Sequence, residues 1–115
     1  MKNVLIGSLM VVALAAFGSS ANAQDKDKGA KVFAASGCPM CHSIAGKGNV
    51  KGPLDDVGSK LSATEIRGWI TDPAGSAEKA KAERKPPMAT MQAKFKSLSK
   101  DDLDNLVAYL SSLKK

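Results

Sequence analysis

The five residues Cys38-Pro39-Met40-Cys41-His42 constrain this chain more than any other feature of its sequence. Two thiols one helical turn apart, followed at once by an imidazole, form the C-x-x-C-H pattern of c-type haem attachment. Each sulfur would bond covalently to the haem, and the neutral imidazole of His42 would bind its iron. The sequence contains no other cysteine or histidine, so a site of this kind can lie only here.

Other uses of two cysteines fit the sequence less well. Cysteines of exported proteins can form disulfides, and a Cys-x-x-Cys pair can act in thiol–disulfide exchange. That redox motif accompanies a βαβ pattern, and we find no run of β-branched residues long enough for a strand. A structural zinc site needs four ligands, and Cys38, Cys41 and His42 do not supply them. Haem attachment is therefore the favoured interpretation.

The start of the chain has the pattern of a secretory signal peptide. Lys2 precedes an apolar stretch from Val4 to Phe17, and Ala21-Asn22-Ala23 fits an A-x-A cleavage site. A membrane-spanning helix would need about 20 apolar residues, and this stretch is shorter. We predict that residues 1–23 are removed on export and that residues 24–115 form one domain, located in a periplasm.

A domain of this length is short of apolar core and gains from a covalent staple. The predicted mature region has few aromatic residues: Phe33, Trp69, Phe95 and Tyr109. A covalently held haem would supply a large apolar surface for the chain to fold around. The full sequence carries a net charge of +6 from scattered lysines, which suits an acidic redox partner better than nucleic acid.

Capping residues and apolar spacing predict helices joined by glycine-rich loops, and therefore an all-α fold. A first helix is expected to start at Asp25 or Asp27, and the box Ser62-Ala63-Thr64-Glu65 starts another. Ser99 caps a last helix with an apolar stripe. The expected extents are about 25–36, 62–72 and 99–111 for these helices, a short polar helix within 74–85, and mostly loop at 42–60 and 88–97.

With these elements the chain resembles the class I c-type cytochromes, a family of small exported monohaem proteins. Gly29 and Phe33 precede the motif as a glycine and an aromatic residue do in that family's first helix. Tyr109 matches their partner position on the last helix, and the resemblance covers nearly all of residues 24–115. It implies a class I cytochrome c fold of three to five helices wrapped around one haem c, attached through Cys38 and Cys41.

The resemblance also implies two further contacts of the haem site. The backbone carbonyl of Pro53 would accept the hydrogen bond from the ring N–H of His42 that faces away from the iron. Such a bond fixes the tautomer of the imidazole and makes it a stronger ligand. Trp69 would hydrogen-bond a haem propionate, or would simply pack in the core.

The sixth iron ligand implied by the resemblance is a methionine that precedes the last helix. Met91 lies eight residues before the cap Ser99, and this spacing favours it as the axial ligand. Met88 is the alternative, because Pro86-Pro87 directly before it would hold it rigidly. A methionine here could also merely pack on the haem as a soft apolar filler.

The function implied is that of a soluble one-electron carrier between respiratory redox partners, and not of an enzyme. An iron bound on both faces has no open position for a substrate, and His/Met ligation raises the reduction potential. The alternative is a haem enzyme or gas-binding protein with an open or labile sixth site. A carrier of this kind would be a monomer that meets its partners transiently. Its candidate docking residues, for which simple solvation is the favoured interpretation, are Lys47, Lys51, Lys94 and Lys96.

Overall fold

The computed structural model describes residues 25–115, so the predicted signal peptide at 1–23 lies outside the described residues. Helices joined by turns form this part of the chain, with one antiparallel hairpin of two-residue strands, β1 (Ser43–Ile44) and β2 (Lys47–Gly48). The helical elements are α1 (Lys26–Ala35), α2 (Val57–Lys60), α3 (Ala63–Thr71), α4 (Pro73–Ala80), α5 (Gln92–Lys96), α6 (Lys100–Ser111) and the 3₁₀ turns Cys38–Met40 and Met88–Met91. The prediction of an all-α fold is confirmed.

Six α-helices lie in the described residues, where three to five were predicted. Two of them, α2 and α5, have only four and five residues. The prediction of a mostly loop segment at 88–97 is wrong, because the turn Met88–Met91 and α5 occupy most of it. This segment lacks glycine and proline and holds several good helix formers, so it forms short helices directly after Pro87. No helix of the described part is long and apolar enough to cross a membrane.

The predicted caps start the three main helices. Asp25 accepts hydrogen bonds from the backbone N–H groups at the start of α1, the nearer at 2.8 Å. Ser62 and Glu65 form the reciprocal capping box of α3, with bonds of 3.1 and 2.9 Å. Ser99 accepts from the backbone N–H of Asp102 at 3.0 Å to start α6. Local chemistry therefore sets where these helices begin.

The first and last helices cross at Gly29, which is buried. A Cβ at this position would lie 2.6 Å from the Cβ of Tyr109 and would also meet the carbonyl oxygen of Asn105. The rings of Phe33 and Tyr109 pack edge to face beside the crossing, with centroids 6.1 Å apart. The missing side chain therefore allows α1 and α6 to approach as closely as they do.

Replacing Gly29 by alanine is expected to destabilise the protein by about 1–3 kcal/mol, because the added methyl group has no space between the helices. Gly68→Ala in α3 is the matched control, since its Cβ would meet only the hydroxyl of Ser76, at 3.3 Å. Alanine also has the higher helix propensity there. Urea unfolding followed by circular dichroism measures the free energy of unfolding of both variants. Equal midpoints for the two would contradict a tight crossing at Gly29.

The apolar core joins α1, α3 and α6. Arg67 of α3 forms an ion pair of 2.7 Å with Asp104 of α6 and so fastens these two helices at the surface. Hydrogen bonds from Lys100 and Arg67 lower the pKa of the Asp104 carboxyl. The buried hydrophobic residues of the described part are Phe33, Ile66, Ile70, Leu106, Val107 and Leu110. One side of this core remains open toward the segment that contains Cys38 and His42.

Candidate cofactor site

An apolar cavity of about 290 Å³ opens beside the core, at the lower end of the usual size of small-molecule sites. Cys38 and His42 line it together, and most of the other lining residues are apolar. Helices α1, α3 and α6 contribute Phe33, Ile66, Trp69, Ile70, Leu106 and Leu110. A planar apolar group that is anchored to a thiol and bound by an imidazole fits this combination of side chains.

The C-x-x-C-H motif forms a tight turn at the edge of the cavity. Gly37 stops α1 in the left-handed conformation, with φ of 79°, and the 3₁₀ turn Cys38–Met40 follows. The backbone N–H groups of Cys41 and His42 both donate to the carbonyl of Cys38, at 3.1 and 3.0 Å. The turn therefore brings both cysteines and the histidine into one short stretch. Cys38 and His42 belong to the cavity lining, and Cys41 is half-buried beside it.

The two cysteines are unpaired, and their setting does not suit thiol–disulfide exchange. Burial raises the pKa of the Cys38 thiol to about 11, partly offset by a backbone hydrogen bond and by the charge of Lys94. Redox-active Cys-x-x-Cys pairs instead have a lowered thiol pKa, because the thiolate is the reactive form. Each strand of the described residues is only two residues long, so the βαβ context of that motif is not present in this part either.

His42 is held as a neutral imidazole. Burial is the main cause that lowers its pKa, the charge of Arg84 adds to the effect, and the hydrogen bond with Gly52 opposes it. Nδ1 of His42 lies 3.0 Å from the carbonyl oxygen of Gly52, to which it donates. With Nδ1 protonated and bonded, Nε2 keeps the free electron pair that binds a metal.

The residue that accepts this hydrogen bond is Gly52, and the prediction of Pro53 is wrong by one position. Ser43 and Pro53 pair as a short parallel bridge, in which the backbone N–H of Leu54 donates to Ser43 at 2.8 Å. The Gly52 carbonyl accepts from the Ser43 N–H at 3.0 Å as well as from His42. This pairing directs the Gly52 carbonyl toward the imidazole, and Pro53 is exposed and outside the cavity lining.

The two candidate methionines occupy the ends of one 3₁₀ turn, Met88–Met91, and differ in their contacts. Met88 lines the cavity together with His42, as does Pro87 before it. Met91 is outside the lining, and its methyl carbon lies 3.3 Å from the position that a Cβ at Gly37 would take. Both side chains are half-buried. The contacts therefore favour Met88, whereas the spacing to the last helix favours Met91.

Trp69 lies at a position that fits both of its predicted roles, a hydrogen bond to a haem propionate and packing in the core. It lines the cavity from α3, next to the buried residues Ile66 and Ile70. Sequence reasoning missed Arg84, which also lines the cavity and donates a hydrogen bond of 2.7 Å to the Cys41 carbonyl. No local pattern could have indicated this contact, because 43 residues separate its partners.

A helical fold with a C-x-x-C-H turn at the mouth of an apolar cavity defines the class of small haem-binding proteins. The family model for cytochrome c matches residues 26–114. The chain therefore belongs to the cytochrome c family, whose members carry covalently attached haem c and its iron and generally serve as haem-based electron carriers. No curated protein and no solved structure matches the chain significantly.

Proposed function

We propose that this protein is a one-electron carrier whose haem c is attached through Cys38 and Cys41 and whose iron is bound by His42 and a methionine. The observation that carries the proposal is the shared cavity, in which an anchoring thiol, a neutral imidazole and a thioether line the same apolar space. A six-coordinate iron leaves no position for a substrate, which supports a carrier rather than an enzyme. Thioether ligation favours the reduced iron and so raises the potential.

For the sixth ligand we propose Met88. Its side chain already lines the cavity that His42 lines, and Pro87 beside it restricts the backbone. Met91 is the competing candidate, since its distance along the chain from Ser99 is the one expected for the family. Both residues lie on one 3₁₀ turn, but Met88 lines the cavity and Met91 lies beside Gly37 instead. Single substitutions can therefore distinguish them.

The haem, when bound, supplies an iron that cycles between Fe(II) and Fe(III). The protein's own contribution is to hold ligands in place and to limit water around them. The apolar side chains of Phe33, Leu106 and Leu110 form one wall of the cavity. The hydrogen bond from His42 to the Gly52 carbonyl keeps Nδ1 protonated and so fixes the imidazole tautomer whose Nε2 can bind a metal. Fixed ligands need little reorganisation when the iron changes charge. Trp69 is proposed to donate a hydrogen bond to a haem propionate.

We further propose that the carrier is an exported monomer, with residues 1–23 as its signal peptide, that meets respiratory partners transiently in a periplasm. Lys94 and Lys96 lie on the exposed side of α5, and Lys47 and Lys51 lie near the attachment turn. These charges suit a partner with an acidic docking surface, because complementary charge speeds encounter without tight binding.

An optical redox titration of the purified protein tests the proposal. We expect a single reversible one-electron transition, with low-spin spectra in both oxidation states. A weak band near the red end of the ferric spectrum would indicate a bond from methionine to iron. Five-coordinate spectra, or ready binding of carbon monoxide by the reduced protein, would contradict the carrier and favour a haem enzyme or gas-binding protein.

A further inference from the structure

Arg84 connects the two stretches of backbone that position His42. Its Nη2 donates a hydrogen bond of 2.7 Å to the carbonyl of Cys41, the residue directly before the histidine. The guanidinium also lies against Gly52, where a Cβ would meet Nη1 at 2.6 Å and Nη2 as well. Since Gly52 has no side chain, the guanidinium can cover its backbone.

These two contacts converge on one imidazole. The Gly52 carbonyl accepts the hydrogen bond from Nδ1 of His42 at 3.0 Å. Cys41 directly precedes His42, so its backbone conformation helps to orient the histidine. Arg84 itself lines the cavity that His42 lines. A positive charge therefore lies beside the proposed iron ligand, next to the Gly52 residue whose carbonyl accepts from Nδ1 of His42.

Arg84 also lies in the segment that leads to the proposed methionine ligand. Residues 81–87 join α4 to the turn Met88–Met91, so a bond from this segment to Cys41 ties the methionine-bearing chain to the attachment turn. Arginine suits this place, because its planar fork of donors holds one direction and its charge persists at any physiological pH. Lysine would keep the charge without the fork.

We propose that Arg84 is a positioning residue that raises the reduction potential of the iron and holds the methionine-bearing segment against the attachment turn. A nearby positive charge disfavours Fe(III), which carries one more positive charge than Fe(II). The bond to Cys41 restrains segment 81–87, so its loss would let an external ligand displace the methionine more easily. This inference rests on the proposed function, since it requires an iron bound by His42 and a methionine.

The test compares Arg84→Gln with Lys85→Gln in the haem-loaded protein. Lys85 is the adjacent exposed residue, so the control removes the same unit of charge from the same segment. We expect Arg84→Gln to have a lower midpoint potential than the control, and its ferric form to bind imidazole at least about threefold more tightly, as the loss of one hydrogen bond to a charged group allows. Arg84→Lys is expected to keep a potential near that of the unmodified protein and still to bind imidazole more tightly.

Equal potentials and equal imidazole affinities in Arg84→Gln and Lys85→Gln would overturn the proposal. Should Arg84→Gln fail to accumulate as a haem protein, the imidazole affinity of Arg84→Lys tests the proposal instead. An affinity unchanged from that of the unmodified protein would show that the bond from Arg84 to Cys41 does not restrain segment 81–87. Failure of the proposed function looks different, because the unmodified protein itself would then show five-coordinate spectra or ready binding of carbon monoxide.

Discussion

Replacing both Cys38 and Cys41 by serine is expected to yield a chain that carries no covalently bound haem. The thioether bonds need sulfur, and the sequence offers no third cysteine to replace either one. Intact mass under denaturing conditions gives the answer directly, because the unmodified protein should be heavier than its polypeptide by the mass of one haem. The double variant should have the polypeptide mass alone.

This variant is also expected to lose most of its fixed tertiary structure. An empty apolar cavity costs about 24 cal/mol per Å³, so a volume of about 290 Å³ corresponds to about 7 kcal/mol as an upper limit, since water can enter an open site. Small domains have only about 5–15 kcal/mol of total stability. Near-ultraviolet circular dichroism, which reports the packing around Trp69, Phe33 and Tyr109, should therefore fall sharply.

Met40→Ser is the control for the cysteine substitutions. Met40 lies between the two cysteines in the same turn and is 72% exposed, so serine there changes the loop without removing an anchor. It should retain the haem and the folded spectrum. A haem mass retained in the double cysteine variant would disprove attachment at this motif, and with it the basis of the proposed function.

Replacing Met88 by alanine is expected to remove the weak red-end band of the ferric protein and to lower its midpoint potential strongly. The axial ligand sets haem potentials over a range of about 0.8 V, and loss of a thioether withdraws the ligand that favours Fe(II). The same variant should bind carbon monoxide when reduced, because a coordination position has opened. Optical spectra and a redox titration of the one preparation measure all three changes.

Met91→Ala is the matched control, since it truncates the same side chain at the other end of the same turn. Its contact near Gly37 predicts a modest loss of stability with the band and the potential retained. The reverse result, in which only Met91→Ala loses the band, would show that spacing to the last helix identifies the ligand and that the contact of Met88 with the cavity does not.

Local patterns in the sequence predicted the parts of the structure that local chemistry determines. The caps Asp25, Ser62 and Ser99 start helices where they were expected, because each side chain satisfies N–H groups within a few residues of itself. The positions Gly29 and Phe33 were assigned from the resemblance to the class I c-type cytochromes, and helix packing agrees, since a close crossing needs a small residue with large ones beside it.

Long-range contacts could not be predicted from the sequence. The acceptor for His42 is Gly52 because Ser43 pairs with Pro53, and a shift of one residue in that pairing would have put another carbonyl there. The bond from Arg84 to Cys41 depends on how α4 and the following segment return to the attachment turn. Neither contact follows from spacing along the chain, and the site could therefore be predicted in its ligand types but not in its supporting bonds.

The crossing of α1 and α6 at Gly29 sets an order of events during biosynthesis. The helix that carries Tyr109 is synthesised long after the helix that carries Gly29, so the contact at Gly29 cannot form until both helices have left the ribosome. Until that moment the turn that carries Cys38 has no completed core to pack against. Both sulfurs would therefore be accessible for haem attachment until α1 and α6 meet.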